Sequence, residues 1–183
     1  MYQIKTRKNK TNLFVRDCIT KALFQLLKNK EFEDISVSDI IKRAGVSRMG
    51  FYRNFSSKEN VVEEYILDIF VETVEDIKSK RNLNFAIKNI ISTSLENFVK
   101  YADIIELFLD KKLDNLLYNC YCRAYYTLNQ DRTKSRIHEY SSQMFIGELF
   151  NLEMCWIRNG MKETPEQLTK IYFKILKLRS ETD

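Results

Sequence analysis

Residues 37–55 read Val-Ser-Asp-Ile-Ile-Lys-Arg-Ala-Gly-Val-Ser-Arg-Met-Gly-Phe-Tyr-Arg-Asn-Phe, and this stretch decides the fold. Just ahead of it, Ser36 stands three residues before Asp39, an N-cap arrangement with an acidic side chain where free backbone amides favour negative charge. Val37, Ile40, Ile41 and Ala44 then recur at helical spacing, which predicts a short helix with one inward face. Gly45 follows at once and suits the left-handed conformation that ends a helix and turns the chain. Ser47 is placed to cap a next helix running to about Asn54. Ala44 is small enough for two helices to approach closely, Val46 fills the angle between them, and Ile40, Phe51 and Phe55 supply a shared core. The pattern is a helix-turn-helix. Arg48, Met49, Tyr52 and Arg53 are left to project outward, offering charge to phosphates and donors or apolar atoms to base edges.

Working outward, Ile19, Ala22, Leu23, Leu26 and Leu27 mark the apolar face of a first helix over residues 12–28. Residues 1–11 are polar and basic without periodicity and read as a flexible arm. Downstream, Ser56 with Glu59 repeats the capping-box spacing and opens a helix expected from about Ser57 through Tyr65, Ile69 and Val74 toward Lys78. Further helices are expected at 84–101, at 103–129 with a break near Asp110, at 136–159 and at 165–179. The last has the clearest start, with Thr164 as cap, Pro165 at the first helical position and Gln167 three after the cap. Four Gly and one Pro in 183 residues leave little turn chemistry for a β fold. The fold class that follows is all-α, with about nine helices. It divides into the arm, a three-helix domain at 12–56 and a helical bundle at 57–183.

The net charge of +5 is unevenly spread. Residues 1–60 hold 13 Lys/Arg against 6 Asp/Glu, and residues 61–183 hold 17 against 19. Clustered cations gain by releasing counterions condensed on phosphates, so the N-terminal end points to a polyanion partner, nucleic acid or an anionic membrane surface. The aromatic residues Phe51 and Phe55 alternate with charges in a helix-turn-helix register and form no broad lipid face, which favours double-stranded DNA over a membrane. No secretory leader and no membrane span are apparent, so a cytoplasmic location is expected. One His, no glycine-rich phosphate loop and no metal-ligand spacing argue against an enzyme, a cofactor or a metal site. Cys18, Cys120, Cys122 and Cys155 read as reduced packing thiols, with redox sensing or metal binding as the alternatives.

The stretch from Leu23 to about Ile66, with Ala-Gly-Val-Ser at 44–47, Phe51-Tyr52 and Phe55-Ser-Ser-Lys-Glu59 in order, resembles the N-terminal domain of the TetR family of bacterial regulators. The run from Gly147 to Leu168 resembles that family's last two helices, which form a dimer interface, and the middle matches only in helical content. The resemblance implies a recognition helix at Ser47–Asn54 and DNA contacts from Ser47, Arg48, Met49, Gly50, Tyr52 and Arg53. It further implies that Lys58 grips the phosphate backbone from the next helix start. Gly50 stands where many members carry a side chain, so an operator sequence does not carry over. The expected activity is that of a transcriptional repressor, with a pseudo-palindromic operator bound by a dimer and released by a small effector. The alternative is a co-regulator whose C-terminal domain binds a protein partner.

Two further sets complete the expectations. Phe98, Tyr101, Phe108, Tyr121, Tyr125 and Phe145 form either an aromatic core or the wall of a pocket for an apolar or aromatic effector. The apolar excess over 144–157 and the stripe from Leu168 to Leu176 exceed what one helical layer should expose and point to a homodimer. Its interface would take in Phe145, Leu149, Leu152, Trp156, Leu168, Ile171, Tyr172 and Ile175.

Overall fold

A computed structural model of the chain describes residues 10–79, 87–128 and 135–181. Among them are eight helices and no strand: α1 Lys10–Leu27, α2 Val37–Ala44, α3 Arg48–Tyr52, α4 Lys58–Ser79, α5 Ile87–Asp110, α6 Asp114–Leu128, α7 Arg136–Arg158 and α8 Pro165–Ser180. The all-α class is as expected, and most of the basic arm lies outside the described residues. The chain forms two compact units, one running to Ile66 and taking in residues 110–112, the other formed by 67–109 and by 113 onward.

The capping signals explain where the helices begin and end. Ser36 Oγ accepts from the Asp39 amide while Asp39 Oδ2 accepts from the Ser36 amide, a closed capping box. These bonds hold the Asp39 carboxyl below its ordinary pKa, with Lys30 3.6 Å away contributing less. Gly45 ends α2 at φ +67°, in the left-handed region. Thr164 and Gln167 close a second box around Pro165 at the head of α8.

Two boundaries differ from expectation. The cap of α4 sits one residue later than the Ser56–Glu59 spacing suggests: Ser57 Oγ accepts from the Asn60 amide, and Asn60 Oδ1 accepts from the Ser56 amide. The expected division between residues 101 and 103 does not exist, because Tyr101, Ala102 and Asp103 carry no breaker and α5 runs on to Asp110. The turn falls at 111–113, where Lys112 takes φ +56° and the Leu113 amide donates back to Phe108 O at 2.9 Å.

In the N-terminal unit the core is Ile19, Leu23, Leu27, Ile35, Ile40, Phe51, Phe55, Val61 and Val62, all buried. Phe24 meets Tyr65 edge-on at 4.7 Å between ring centroids. The C-terminal unit is built around a chain of rings. Phe70 and Phe98 both pack on Tyr121, which meets Phe150, which in turn meets Tyr118. Each such buried side chain contributes roughly 1.5–3 kcal/mol through its apolar surface, and the edge-on ring geometry adds to it.

One charged residue lies inside this apolar unit. Glu153 on α7 is fully buried, its Oε1 accepts from Ser94 Oγ on α5 at 2.7 Å, and its Oε2 has no hydrogen-bond partner. Desolvation raises its pKa from 4.5 to about 8, against the opposing pull of the Ser94 hydrogen bond and of the nearby Tyr121 hydroxyl. An acid whose pKa is raised by folding favours the native state fully below its unfolded pKa. That contribution is lost as pH rises toward the folded value. Glu153 therefore costs stability between about pH 4.5 and about pH 8, with a slope of at most about 1.4 kcal/mol per pH unit. Glu153→Gln removes the titration and keeps the shape. In urea melts at pH 5, 6.5 and 8 the variant should gain on the parent chain at each step, and parallel pH dependences would contradict a buried, neutral Glu153.

Candidate nucleic-acid interface and ligand pocket

Helix α3 is five residues long, shorter than any peptide helix stable in water by itself. Its neighbours hold it. Ser47 Oγ accepts from the Gly50 amide at 3.0 Å, and the Asn54 side-chain amide donates to Gly50 O at 2.8 Å. A Cβ at Gly50 would come within 3.2 Å of Ser47 Oγ, so the bare glycine leaves this cap uncrowded. Phe51 is completely buried beneath, and Phe55 closes the core behind it.

The opposite face is open. Met49 is 64% exposed and Tyr52 52%, and Ser47, Arg48 and Arg53 are also at the surface. Lys42 and Arg43 on α2 are exposed as well, Arg43 held by Gln25 Oε1 at 2.8 Å. The face thus combines cations with one thioether and one phenol on a helix whose inner side is fixed. That is the mixture that can meet phosphates and base edges together.

Lys58 has a different place from the one the resemblance implies. Its ammonium donates to three backbone carbonyls, Phe32 at 2.6 Å, Glu33 at 3.1 Å and Ile35 at 2.8 Å, and lies over the Phe32 ring. An ammonium has three donors, and all three are committed inside the unit. Lys58 is therefore a clamp between the α1–α2 connection and the start of α4, and its ammonium has no donor left for a phosphate.

A second brace, Arg16, carries no signal in the helix-turn-helix motif itself. Its guanidinium donates to Asn54 O at 2.9 Å, pairs with Glu64 at 2.6 Å and covers the Phe55 ring at 4.2 Å from the centroid. Its side chain is only 13% exposed. Arg16 ties α1, the end of α3 and α4 into one body. The clue lay in register: position 16 falls on the same stripe as Ile19 and Leu23, where an apolar residue is expected.

In the C-terminal unit the aromatic set divides. Tyr121, Tyr125 and Phe145 line a small, half-open pocket together with Phe70, Thr73, Val74, Ile77, Ile90, Ser94, Ala124 and Leu149. Phe98 and Phe108 are buried in the packed core instead, and Tyr101 donates to Glu72 at the surface. Thr73 bonds back to Ile69 O on its own helix, and Ser94, Tyr121 and Tyr125 are the other polar side chains of the pocket wall.

The expected dimer residues divide too. Leu149, Trp156, Leu168 and Tyr172 are buried within the single chain, Trp156 Nε1 donating to Glu163 O and Tyr172 OH to Glu148. Leu152 and Phe145 are half-buried, and Ile171 and Ile175 are exposed. The exposed apolar surface on these two helices consists of Ile137, Tyr140 and Met144 on α7 with Ile171, Ile175 and Leu178 on α8. Glu148 ties the helices together through Tyr172 and Arg179.

No helix among the described residues is long and apolar enough to cross a membrane. Residues 19–65 match the family described as "Bacterial regulatory proteins, tetR family". Over 84 residues the chain is 26% identical to the HTH-type transcriptional regulator AlkX of Mycobacterium tuberculosis, a match spanning 46% of this chain and 39% of that relative. The whole fold is similar to that of Lin0861 from Listeria innocua, with TM-score 0.73, 16% identity and 94% of each chain covered. It is also similar to a TetR transcriptional regulator from Streptococcus agalactiae, with TM-score 0.58, 20% identity and 91% and 95% covered. Residues 19–65 thus match the helix-turn-helix domain of that family, and the fold of the chain is similar to that of a solved TetR regulator.

Proposed function

We propose that this regulator is a repressor that binds a pseudo-palindromic operator as a homodimer and leaves it when a small ligand fills the C-terminal pocket. The observation that carries the DNA reading is the two-faced helix α3, with Phe51 fully buried on one side and Arg48, Met49, Tyr52 and Arg53 exposed on the other. Arg48 and Met49 reach base edges, Tyr52 and Arg53 donate to phosphates, and Ser47 and Gly50 let the helix start approach the backbone closely. The dimer joins the exposed stripes of α7 and α8 from each copy, four helices in all. Ligand enters beside Phe70, Thr73, Val74 and Ile77 on α4, the helix whose first turns also carry Val61 and Val62 of the N-terminal core. To act as an inducer it must bind the DNA-free form better, by about 1.4 kcal/mol for each tenfold loss of operator affinity, and operator must weaken ligand equally.

Single substitutions separate these roles. Tyr52→Ala should weaken binding to all sequences and leave the melting transition within about 0.5 kcal/mol, since the residue lies at the surface. Arg48→Ala should alter which bases a random-sequence selection recovers, and an unchanged preference would sink the recognition-helix assignment. Lys58→Ala should destabilise the fold by on the order of 2 kcal/mol, because three carbonyls lose a charged donor. A Lys58→Ala chain that melts like the parent but no longer binds DNA would restore a phosphate role to the ammonium.

The interface is tested apart from the fold. Ile171→Glu with Ile175→Glu places charge on exposed positions and should leave helix content intact. Light scattering at micromolar concentration should then show a monomer, with operator affinity at least tenfold lower. A dimer that survives both changes would move the interface elsewhere.

A further inference from the structure

The pocket has a chemical polarity that its apolar walls do not explain. Phe70, Tyr121, Tyr125 and Phe145 bring four rings to it, and Val74, Ile77, Ile90, Ala124 and Leu149 complete an apolar lining without any Lys, Arg or His. Among the polar groups of the wall, Thr73 donates back to its own helix, and Ser94 has its hydroxyl hydrogen already donated inward to Glu153 Oε1 at 2.7 Å. A hydroxyl that donates in one direction still accepts in another. Toward the pocket Ser94 is therefore an acceptor, polarised by the carboxyl behind it. The Tyr121 hydroxyl adjoins both Ser94 and Glu153, yet Glu153 Oε2 remains unpartnered although the residue is fully buried. Leu149, one helical turn before Glu153 on α7, lines the pocket, so the acid lies just past the lining on the same helix face.

A buried carboxyl with an unpartnered oxygen costs free energy in the empty protein, and Glu153 stands one hydrogen bond behind the pocket wall, through Ser94, where a ligand on that hydroxyl would feel its charge. Three head groups can be compared. A carboxylate ligand finds no cation and a buried acid, so charge opposes it. An alcohol can donate one hydrogen bond to Ser94 and leaves Glu153 unchanged. An ammonium donates to Ser94, takes Glu153 as counter-ion, and presents its charge to four aromatic rings, whose faces attract cations. Only the ammonium uses the acid, the hydroxyl and the rings together.

Resting on the ligand-responsive reading above, we propose that the effector is a small apolar amine, most simply an arylalkylamine, bound as the cation with its head on Ser94 and Glu153 as its counter-ion. The groups acting on the Glu153 carboxyl are Ser94 from α5 and Tyr121 from α6, and no cationic side chain is among them. Tyr121 is itself raised well above its ordinary value by burial, so it stays neutral throughout the range concerned. Ionising Glu153 on ligand binding therefore expels its proton to solvent, and the amine keeps its own.

The test is calorimetry on the full chain with 2-phenylethylamine, 2-phenylethanol and 3-phenylpropanoate, each at pH 7 in two buffers of different ionisation enthalpy. The amine should bind at least tenfold tighter than the alcohol and the carboxylate should be weakest. Amine binding should release close to one proton, because a carboxyl titrating at about 8 is mostly protonated at pH 7. Glu153→Gln should cost the amine at least tenfold and abolish the release, with alcohol affinity kept within twofold. Ser94→Ala should weaken the amine as well, and its intact melting transition would show that the loss is local. Equal or tighter binding of the alcohol or the carboxylate overturns the proposal, as does amine binding that Glu153→Gln leaves alone, or no amine binding at all. Operator titrations keep this apart from the regulatory reading. If the carboxylate rather than the amine displaces DNA, that reading stands and the amine assignment falls. If the amine binds with proton release and DNA affinity is unchanged, the site stands and the regulatory reading falls.

Discussion

A five-residue helix cannot hold its shape in water, so everything the exposed face of α3 can do depends on what grips it from behind. Arg16 grips its end directly, and Lys58 fastens together the α1–α2 connection and the head of α4. Arg16 fastens the carbonyl that follows α3 to α1 and to Glu64, and Lys58 gathers three carbonyls of the α1–α2 connection onto the head of α4. Both are half-covered cations used as internal fasteners, which reverses the usual reading of basic residues in a nucleic-acid-binding domain. The +7 excess of residues 1–60 thus overstates the charge free to meet DNA, because two of its largest contributors to structure are spent internally. Lys58 also sits where a helix dipole disfavours a cation, a cost that its three carbonyl partners offset.

How far this was legible in the sequence depends on whether the deciding interaction is local. Ser36 with Asp39, Gly45, Ser47, and Thr164 with Gln167 act within three or four residues of themselves, and the structure puts each where the spacing implies. The α5–α6 turn falls just past Asp110, where a break is expected, although Lys112 takes a left-handed conformation for which glycine or asparagine would be the plainer signal. Ser56 and Ser57 are adjacent candidates for one cap, and only the Asn60 side chain decides between them. The resemblance makes Lys58 a phosphate contact, and nothing within reach along the chain announces carbonyls 23 to 26 residues away.

The C-terminal unit shows a second limit. Apolar periodicity identifies which face of a helix is buried but not whether the chain itself or a second copy buries it. Leu149, Trp156, Leu168 and Tyr172 carry the same pattern as Ile171 and Ile175, yet the first four are consumed by the chain's own core. The same ambiguity divided the aromatics, where Phe98 and Phe108 became packing while Tyr125 and Phe145 remained on a cavity wall. Glu153 stands among Leu149, Phe150 and Trp156 in helical register, an apolar stripe on which no buried acid is expected, and its partner Ser94 lies 59 residues earlier.

Helix α4 shows the opposite of a sequence puzzle, because its order is carried by the backbone itself. From Lys58 to Ser79 it contains neither Gly nor Pro, so nothing in it breaks the hydrogen-bond ladder. An unbroken ladder fixes the register of every side chain along it. Val61 and Val62 are thereby set in the N-terminal core, and Phe70 and Val74, one turn apart, fall on the same stripe of the pocket wall with Thr73 and Ile77 beside them.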